Sequence, residues 1–314
     1  MLMNAMRLDH FGGPENLQLT QVERTPPGAG EVEIRVFAAG VNPVDWKMRE
    51  GKAPQFLDEA GLPAVLGRDV AGEISAIGPG VETWAIGQRG FAMASDHDGG
   101  YSEYVTVAAD KVVVIPDNLD FIEAGGVPLA SLTAWQGLFR HGQLTQGQRV
   151  LIHAAAGGVG HFAVQFARET GAYIFATASD KDREFVKGLG ADVVIDYKTE
   201  RFEDIATGLD LVFDTIGGET RERSWDLIKP GGRLITTLDA PDQQKASAHN
   251  VFAARFTAES DGGDLSRIAH LIEQGKVRPH VAKTFALEQA GDAQERLKQG
   301  GIAGKIVLSV TRSQ

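Results

Sequence analysis

The sequence contains no cysteine. Disulfide bonds and zinc sites with thiolate ligands are therefore excluded for this chain. Its eight histidines show no paired spacing of the kind that metal sites use. The triplet Asp96-His97-Asp98 contains ligand-type side chains, but it stands beside Gly99-Gly100 and is more typical of a polar turn. We therefore expect no bound metal.

Long apolar runs and an excess of positive charge are also missing. No stretch approaches the roughly 20 apolar residues that a membrane-spanning helix needs, and residues 1–7 lack the apolar core of a signal peptide. The net charge of −11 repels phosphate backbones and anionic lipids. We therefore expect a cytoplasmic protein whose principal partner is neither nucleic acid nor membrane, although one nucleotide in a local site is compatible with this charge.

The pattern of apolar residues divides the 314-residue chain into two parts. Residues up to about 120 contain strands of period two, such as 31–36, and frequent glycine and proline, which is typical of a small irregular barrel. From Phe121 onward, short apolar strands alternate with helical stretches, and a last strand follows at 305–310. This alternation predicts an α/β protein with a Rossmann-type, doubly wound parallel sheet and a separate β-rich domain.

One strand-to-helix junction has the composition of a dinucleotide-binding turn. The strand at 149–153 leads into Ala155-x-Gly157-x-x-Gly160, and a helix follows at 158–170. Small residues at this spacing allow a tight turn, a close approach of the backbone to a pyrophosphate, and close packing of helix on strand. A glycine-rich connection without a ligand is the alternative for an isolated match. The flanking elements favour the nucleotide site, and the predicted contacts are Ala156, Gly157, Gly158, Val159 and Gly160.

The end of the next strand, 172–178, indicates which dinucleotide binds. An NAD enzyme carries an acidic residue there to hold the ribose 2′-hydroxyl, but this chain has Thr177. Three residues that suit a 2′-phosphate follow, namely Ser179, Lys181 and Arg183. Asp180 and Asp182 lie between these cations, so a solvated helix start is the alternative. The pattern favours NADPH over NADH.

Several separate segments resemble, in the same order, the medium-chain dehydrogenase/reductase superfamily and within it the zinc-free quinone oxidoreductase branch. The segments are 39–47 (AGVNPVDWK), 66–72 (LGRDVAG), 132–135 (LTAW), 154–160 (AAAGGVG), 190–197 (GADVVIDY) and 304–307 (GKIV). Together they extend over essentially the whole chain. Zinc members hold their catalytic metal with a Cys in the first segment and a His-Glu pair in the second, where this chain has Asn42 and Arg68-Asp69.

The resemblance implies a domain organisation. Residues 1–120 together with 266–314 would form a GroES-like, partly barrel-shaped substrate domain, and residues 121–265 the Rossmann dinucleotide-binding domain. The substrate would bind between them, at the carboxyl ends of the parallel strands. A homodimer is also implied.

The resemblance further implies hydride transfer from NADPH to a quinone or another conjugated carbonyl acceptor. Asn42 would hydrogen-bond the acceptor carbonyl or the nicotinamide-side ribose, and Thr133 would lie near the nicotinamide. Tyr197 would contact the adenosine phosphate, and Lys305 would approach the cofactor from the last strand. Each has a structural alternative: Asn42 as a turn former before Pro43, Thr133 as a helix residue, Tyr197 as a packing aromatic and Lys305 as a surface charge.

One departure from the family pattern concerns the proton donor. Relatives that reduce enoyl thioesters carry a Tyr shortly after the Asn-x-x-Asp segment, and quinone-type members often have a Tyr where Lys47 stands. No tyrosine lies between Asp45 and Pro63 in this chain. Lys47 or water would then supply the proton. The alternative function is an NADPH-binding redox sensor or scaffold with little turnover; a methyltransferase would lack the matching N-terminal β domain.

Overall fold

The computed structural model describes residues 1–94 and 99–310. The predicted polar turn Asp96-His97-Asp98 lies outside these residues. The chain forms two compact units, one of residues 1–129, 260–275 and from 279 onward, the other of residues 130–259 and 276–278. The sequence-based boundaries lie at 120/121 and 265/266, and the first unit extends beyond the former because segment 121–125 packs on its strands.

The first unit is built mainly from antiparallel strands. Their bounds are β1 (Leu2–Leu8), β2 (Leu17–Glu23), β3 (Glu31–Val41), β4 (Ala64–Val65), β5 (Asp69–Ile77), β6 (Arg89–Met93), β7 (Tyr104–Ala108) and β8 (Val113–Val114), followed much later by β15 (Val281–Ala286) and β16 (Lys305–Ser309). A three-stranded sheet has the order β2-β1-β4, and a seven-stranded sheet the order β15-β16-β3-β5-β6-β8 with β7 paired to β3. The predicted β-rich domain is confirmed.

Four helices belong to this unit: α1 (Pro43–Arg49), α2 (Phe121–Gly125), α8 (Gly262–Glu273) and α9 (Ala290–Lys298). Along β3 the side chains of Val32, Ile34 and Val36 are buried, as the period-two pattern predicts. Glu33 points to the other face and is buried too, because it forms a two-pronged ion pair with Arg24. The core of the unit therefore lies on one face of β3, with a satisfied ion pair on the other.

The second unit contains one six-stranded parallel sheet. Its strands are β9 (Arg149–Ile152), β10 (Tyr173–Ala178), β11 (Val193–Asp196), β12 (Leu209–Asp214), β13 (Ile228–Thr236) and β14 (Phe252–Arg255), in the order β11-β10-β9-β12-β13-β14. Every neighbouring pair is parallel. This is the strand order of the doubly wound dinucleotide-binding fold, so the predicted Rossmann-type sheet is confirmed.

The helices associated with this sheet are α3 (Pro128–Trp135), which continues as a π-helical segment (Gln136–His141), α4 (Gly160–Thr170), α5 (Arg183–Leu189), α6 (Gly218–Glu222) and α7 (Gln243–Ala248). Helix α4 buries the residues expected from its apolar pattern, among them Phe162, Val164 and Phe166. Buried strands and a buried α4 hold the junction between β9 and α4 in a rigid setting. Among the described helices, none is long and apolar enough to cross a bilayer.

Candidate functional site

The junction between β9 and α4 is a seven-residue turn, 153–159, with little space between helix and strand. A Cβ atom on Gly160 would lie 2.2 Å from the carbonyl oxygen of Ala154 and 2.7 Å from the Cα of Ala155. Only glycine lets α4 begin so close to the turn. A Cβ atom on Gly157 would contact only the Ala154 oxygen, at 3.2 Å. The backbone of residues 157–160 is therefore compact on its inner side and open on the other.

The N-terminus of α4 has the dipole direction of an anion site, and two of its first N–H groups, those of His161 and Ala163, already donate to the Gly157 and Val159 carbonyls at 3.0 Å each. The first four N–H groups of an α-helix have no acceptor within the helix, and its dipole places positive potential there. Ala156 is almost fully buried, whereas Gly157, Gly158 and Val159 are half-buried, so their backbone is reachable. The predicted residues Ala156, Gly157, Gly158, Val159 and Gly160 thus lie together around one helix N-terminus, where a pyrophosphate can bind.

Thr177 lies beneath the turn rather than on its open side. Its hydroxyl oxygen is 3.1 Å from Nδ1 of His153 and accepts a hydrogen bond from the Ala154 N–H at 3.2 Å. Its carbonyl oxygen accepts from the Ala155 N–H at 2.9 Å. Thr177 is buried, so its hydroxyl is used inside the fold. The predicted contact of Thr177 with the cofactor stays a prediction.

The residues expected at a 2′-phosphate form an ion-pair network after β10. The Ser179 hydroxyl donates to Asp182 Oδ2 at 2.6 Å. The Arg183 guanidinium donates to Asp180 Oδ1 at 3.0 Å, to the Val194 carbonyl at 2.6 Å and to Glu200 Oε2 at 2.8 Å. Its hydrogen bonds with Glu200 and Asp180 raise the pKa of Arg183.

Two exposed residues flank this network. Lys181 is exposed, and so is Tyr197, whose backbone N–H donates to the Ala178 carbonyl at 3.2 Å. That hydrogen bond places Tyr197 next to the end of β10. The structure therefore brings Tyr197, Ser179 and the Lys181 segment to the same end of the parallel sheet.

In the first unit, Asn42, Asp69 and Lys305 form one buried cluster. The Asn42 amide Nδ2 donates to Asp69 Oδ2 at 2.9 Å. The Lys305 ammonium donates to Asn42 Oδ1, to Asp69 Oδ2 at 3.2 Å and to the Val41 carbonyl at 3.2 Å. The other Asp69 oxygen accepts from the Leu129 N–H at 2.6 Å. Lys305 was expected to approach a cofactor, and the structure gives each of its three hydrogens an acceptor within the chain.

Asn42 is also held through its backbone, by Asp45. Asn42 stands directly before α1 with Pro43 as the first helical residue, and its N–H donates to Asp45 Oδ2 at 2.7 Å. The Tyr101 hydroxyl donates to the same oxygen at 2.7 Å. Burial raises the pKa of Asp45 to about 6 and the pKa of Tyr101 well above its usual value. Asn42 is therefore fixed at its backbone by Asp45 and at its side chain by Asp69 and Lys305.

Two further predicted residues lie outside these clusters. Lys47 follows on α1, half-buried, with its ammonium 5.7 Å from the ring centre of Trp46. Thr133 is buried in α3. Their expected roles as proton donor and nicotinamide neighbour stay predictions.

Several residues of these clusters were missing from the predicted site, among them Asp69, Tyr101, His153 and Ser224, whose hydroxyl oxygen lies 3.0 Å from Nε2 of His153. Asp69 could have been recognised from the sequence, since a carboxylate at the start of an apolar strand needs a buried partner. His153 could have been recognised too, because it ends an apolar strand directly before the glycine turn. Nothing in the sequence pattern indicates Tyr101 and Ser224, because they join the clusters only in the folded chain.

Comparisons with known proteins agree with this architecture. The family described as "Alcohol dehydrogenase GroES-like domain" matches residues 28–117, and the family described as "Zinc-binding dehydrogenase" matches residues 189–308. The quinone oxidoreductase of Pseudomonas aeruginosa is 33% identical, over 95% of this chain and 97% of that protein. An NADPH-dependent alkenal/one oxidoreductase of Arabidopsis thaliana is 33% identical, over 98% of this chain and 79% of that protein.

Solved structures give the same result. The quinone oxidoreductase from Coxiella burnetii superposes with a TM-score of 0.92 at 33% identity, covering 99% of this chain and all of that one (100%). A mycobacterial protein solved in complex with NADPH superposes with a TM-score of 0.87 at 28% identity, covering 98% of this chain and 100% of that one. The glycine turn, the parallel sheet and the β-rich unit thus define a medium-chain dehydrogenase/reductase, a class whose members bind nicotinamide cofactors. Within this superfamily the chain belongs to the quinone oxidoreductase branch.

The name of one matching family mentions zinc, but the residues at the places of that metal's catalytic ligands do not fit it. The places of the catalytic zinc ligands in the resemblance are Asn42, Arg68 and Asp69. Both oxygens of Asp69 already accept hydrogen bonds, and the Lys305 ammonium lies 3.2 Å from one of them, where it would repel a second cation. Within residues 1–94 and 99–310, no group of three or more His, Cys, Asp or Glu side chains is arranged to hold a metal ion.

Proposed function

We propose that the protein is an NADPH-dependent, zinc-independent reductase that transfers a hydride to a quinone or another conjugated carbonyl. The observation that carries this proposal is the open helix N-terminus at Gly157–Gly160, at the central strand of a sheet with dinucleotide-binding order. NADPH, when bound, supplies the hydride. A quinone that takes up this hydride and one proton becomes a hydroquinone, and NADP⁺ is left.

The residues of this chain would bind and orient the reactants. The backbone N–H groups at the start of α4 would hold the pyrophosphate, and Tyr197 would lie against the adenosine phosphate. Asn42 would donate its second Nδ2 hydrogen, whose acceptor within the chain is the Gly40 carbonyl at 3.5 Å, to the acceptor carbonyl or the nicotinamide-side ribose, and its partners Asp69 and Lys305 would fix the plane of its amide. Thr133 would lie near the nicotinamide, and Lys47 or a water molecule would provide the proton.

The preference for NADPH is supported by charge. The end of β10 carries Thr177 in place of the carboxylate that would repel a 2′-phosphate. Ser179, Lys181 and Arg183 follow it directly. Arg183 is held between Asp180 and Glu200, Lys181 is exposed, and both cations would attract the 2′-phosphate. The similarity to proteins described as NADPH-dependent and as an NADPH complex agrees with this preference.

The acceptor class is supported by what the names of the relatives share. Quinones, alkenals and alkenones, and the 2-methylene-furan-3-one of a Solanum lycopersicum relative that is 31% identical, all have a carbonyl conjugated to a carbon–carbon double bond. Hydride addition to such an acceptor places negative charge on the carbonyl oxygen, which a fixed amide donor such as Asn42 stabilises. We further propose that the active protein is a cytoplasmic homodimer.

A substrate panel tests the activity. NADPH and NADH oxidation should be followed by absorbance with a naphthoquinone, an alkenal and an alkenone, and we expect turnover with NADPH. NADPH binding without oxidation by any acceptor would overturn the reductase and favour the alternative, a redox sensor or scaffold.

A matched pair of variants tests the site. Gly157→Asp places a carboxylate where the pyrophosphate would bind, and it should raise the Kd for NADPH by about a hundredfold or more. Gly188→Asp adds the same charge on α5, where a Cβ atom meets nothing within 4 Å, and should leave the affinity unchanged. Equal affinities of the two variants would mean that the glycine turn does not bind the cofactor.

A further inference from the structure

A chain of hydrogen bonds runs beneath the glycine turn through the buried imidazole of His153. This residue follows β9 directly and has no exposed surface. Nδ1 of the ring lies 3.1 Å from the Thr177 hydroxyl oxygen, and Nε2 lies 3.0 Å from the Ser224 hydroxyl oxygen. Burial lowers the pKa of His153 to about 4, so the imidazole is neutral at physiological pH and carries a single N–H. Both ring nitrogens therefore have a partner, but only one of them donates.

The groups at the two ends of this series of hydrogen bonds indicate which ring nitrogen of His153 carries the hydrogen. At one end the Ala154 N–H, which is only a donor, points to the Thr177 hydroxyl oxygen at 3.2 Å. At the other end the Thr220 carbonyl, which is only an acceptor, receives the Ser224 hydroxyl hydrogen at 2.8 Å. With its hydrogen on the Thr220 carbonyl, the shorter of its two contacts, Ser224 has only lone pairs to offer to Nε2, and this arrangement assigns the imidazole hydrogen to Nε2. Nδ1 is left as the acceptor of the Thr177 hydroxyl hydrogen.

The residue at the first end, Ala154, has an unusual backbone conformation. Its φ of +53° lies in the left-handed region, which is strained for a residue other than glycine. Its carbonyl accepts from the Gly157 N–H at 2.9 Å and is the nearest atom to the place where a Cβ on Gly160 would lie. Thr177 holds both peptide groups that meet at Ala154, the first through the Ala154 N–H and the second through the Ala155 N–H, and so supports the shape of the turn.

We propose that His153, as its Nε2–H tautomer, is a positioning residue for the dinucleotide: it orients the Thr177 hydroxyl, which holds the Ala154 peptide and thereby the phosphate-binding turn. The proposal rests on the proposed function only in that the turn binds NADPH. The same series of hydrogen bonds connects the turn to α6 through Ser224 and Thr220, so the partners of both ring nitrogens contribute to the geometry of the turn.

Substitutions at the two hydroxyls test the positioning role. Thr177→Val keeps the shape of the side chain but leaves the Ala154 N–H and Nδ1 without partners; loss of such buried bonds should raise the Kd and KM for NADPH roughly tenfold to a hundredfold. The KM for the quinone should not change. Thr177→Ser, which restores the hydroxyl, should recover the affinity, and Ser224→Ala should weaken it from the far end. Thr170→Val removes a hydroxyl bound only to the Phe166 carbonyl at 3.0 Å, at the other end of α4, and serves as the control.

Nitrogen-15 NMR of the histidine side chains tests the tautomer independently of activity, with His153→Gln to assign the signal. We expect an Nε2–H signal together with a non-protonated Nδ1 at neutral pH. An Nδ1–H tautomer would overturn the proposal, and so would a Thr177→Val variant whose NADPH affinity stays within about twofold of wild type. If the wild-type protein does not bind NADPH at all, the proposed function fails, whereas the NMR result still decides the direction of the hydrogen bonds. If Thr177→Val does not fold, Ser224→Ala decides the effect on affinity.

Discussion

The substitution Lys305→Met tests how much the buried cluster of Asn42, Asp69 and Lys305 contributes to stability. The ammonium is 3% exposed and its three hydrogens are accepted by Val41, Asn42 and Asp69. Methionine has a similar length and fills the space without a charge, so the loss of packing is small. What changes is the environment of Asp69, which is fully buried and would keep only the Asn42 amide and the Leu129 N–H as partners.

The magnitude follows from this loss of a counter-charge. At the observed 3.2 Å between Lys305 Nζ and Asp69 Oδ2, Coulomb's law gives about 5 kcal/mol at an effective dielectric constant of about 20. Breaking a buried ion pair by removing one partner typically costs about 3–5 kcal/mol. We expect the β-rich unit to lose about that much free energy of unfolding. The double variant Lys305→Met/Asp69→Asn, which removes both charges, should recover most of the loss.

Hydrogen exchange followed by mass spectrometry measures the effect where it occurs. Amides of the paired strands β3 and β16 should exchange faster in Lys305→Met by about two to four orders of magnitude, at about 1.4 kcal/mol per tenfold. The control Lys283→Met makes the same change at an exposed position on the neighbouring strand β15. Exchange within threefold of wild type would refute the electrostatic reasoning. So would a double variant that exchanges as fast as the single one. Unchanged exchange with weaker NADPH binding would instead support Lys305 as a cofactor contact.

Three further predictions concern a buried carboxyl, a glycine and a lysine. Because burial raises the pKa of Asp45 from 3.8 to about 6, its ionisation opposes folding at high pH, and stability should increase by about 2 kcal/mol as the pH falls from 8 to 4.5. Urea unfolding of wild type and Asp45→Asn at each pH measures this contribution, and parallel profiles would contradict it. Gly160→Ala should abolish NADPH binding in a binding titration, because the new Cβ would lie 2.2 Å from the Ala154 oxygen, whereas Gly188→Ala should bind normally. Lys181→Ala should raise the Kd for NADPH about fivefold to fiftyfold and leave the Kd for NADH unchanged, since only NADPH has the 2′-phosphate; equal changes for both would rule out the contact.

Elements with a strongly buried face could be predicted from the sequence, and exposed or short ones could not. The strands that begin near residues 31, 149 and 209 follow apolar patterns because their side chains enter a core. Strand β15 could not be predicted, since Ala282, Lys283 and Thr284 are exposed and leave no apolar pattern. Helix α1 is only seven residues long and starts with Pro43, so its first residues resemble a turn.

The glycine turn and the cluster around Asn42 also differ in how well the sequence predicts them. The glycine turn could be predicted because the backbone geometry of a phosphate-binding junction demands small residues at a fixed spacing. The cluster of Asn42, Asp69 and Lys305 has no such spacing, since its members are 27 and 236 residues apart along the chain. What brings them together is the pairing of β16 and β5 with β3, and that pairing is a property of the folded sheet.

The buried and exposed residues of the predicted cofactor site also differ in the free energy that a contact with the cofactor would require. Lys305 and Thr177 are buried, and their polar hydrogens already have acceptors within the chain, so a contact with the cofactor would first break a buried hydrogen bond. Lys181 and Tyr197 are exposed at the end of the parallel sheet, where a ligand can reach them without entering the buried core. Cofactor affinity should therefore depend directly on Lys181 and Tyr197, whereas Thr177 and Lys305 should act on it through the shape of the backbone that they hold.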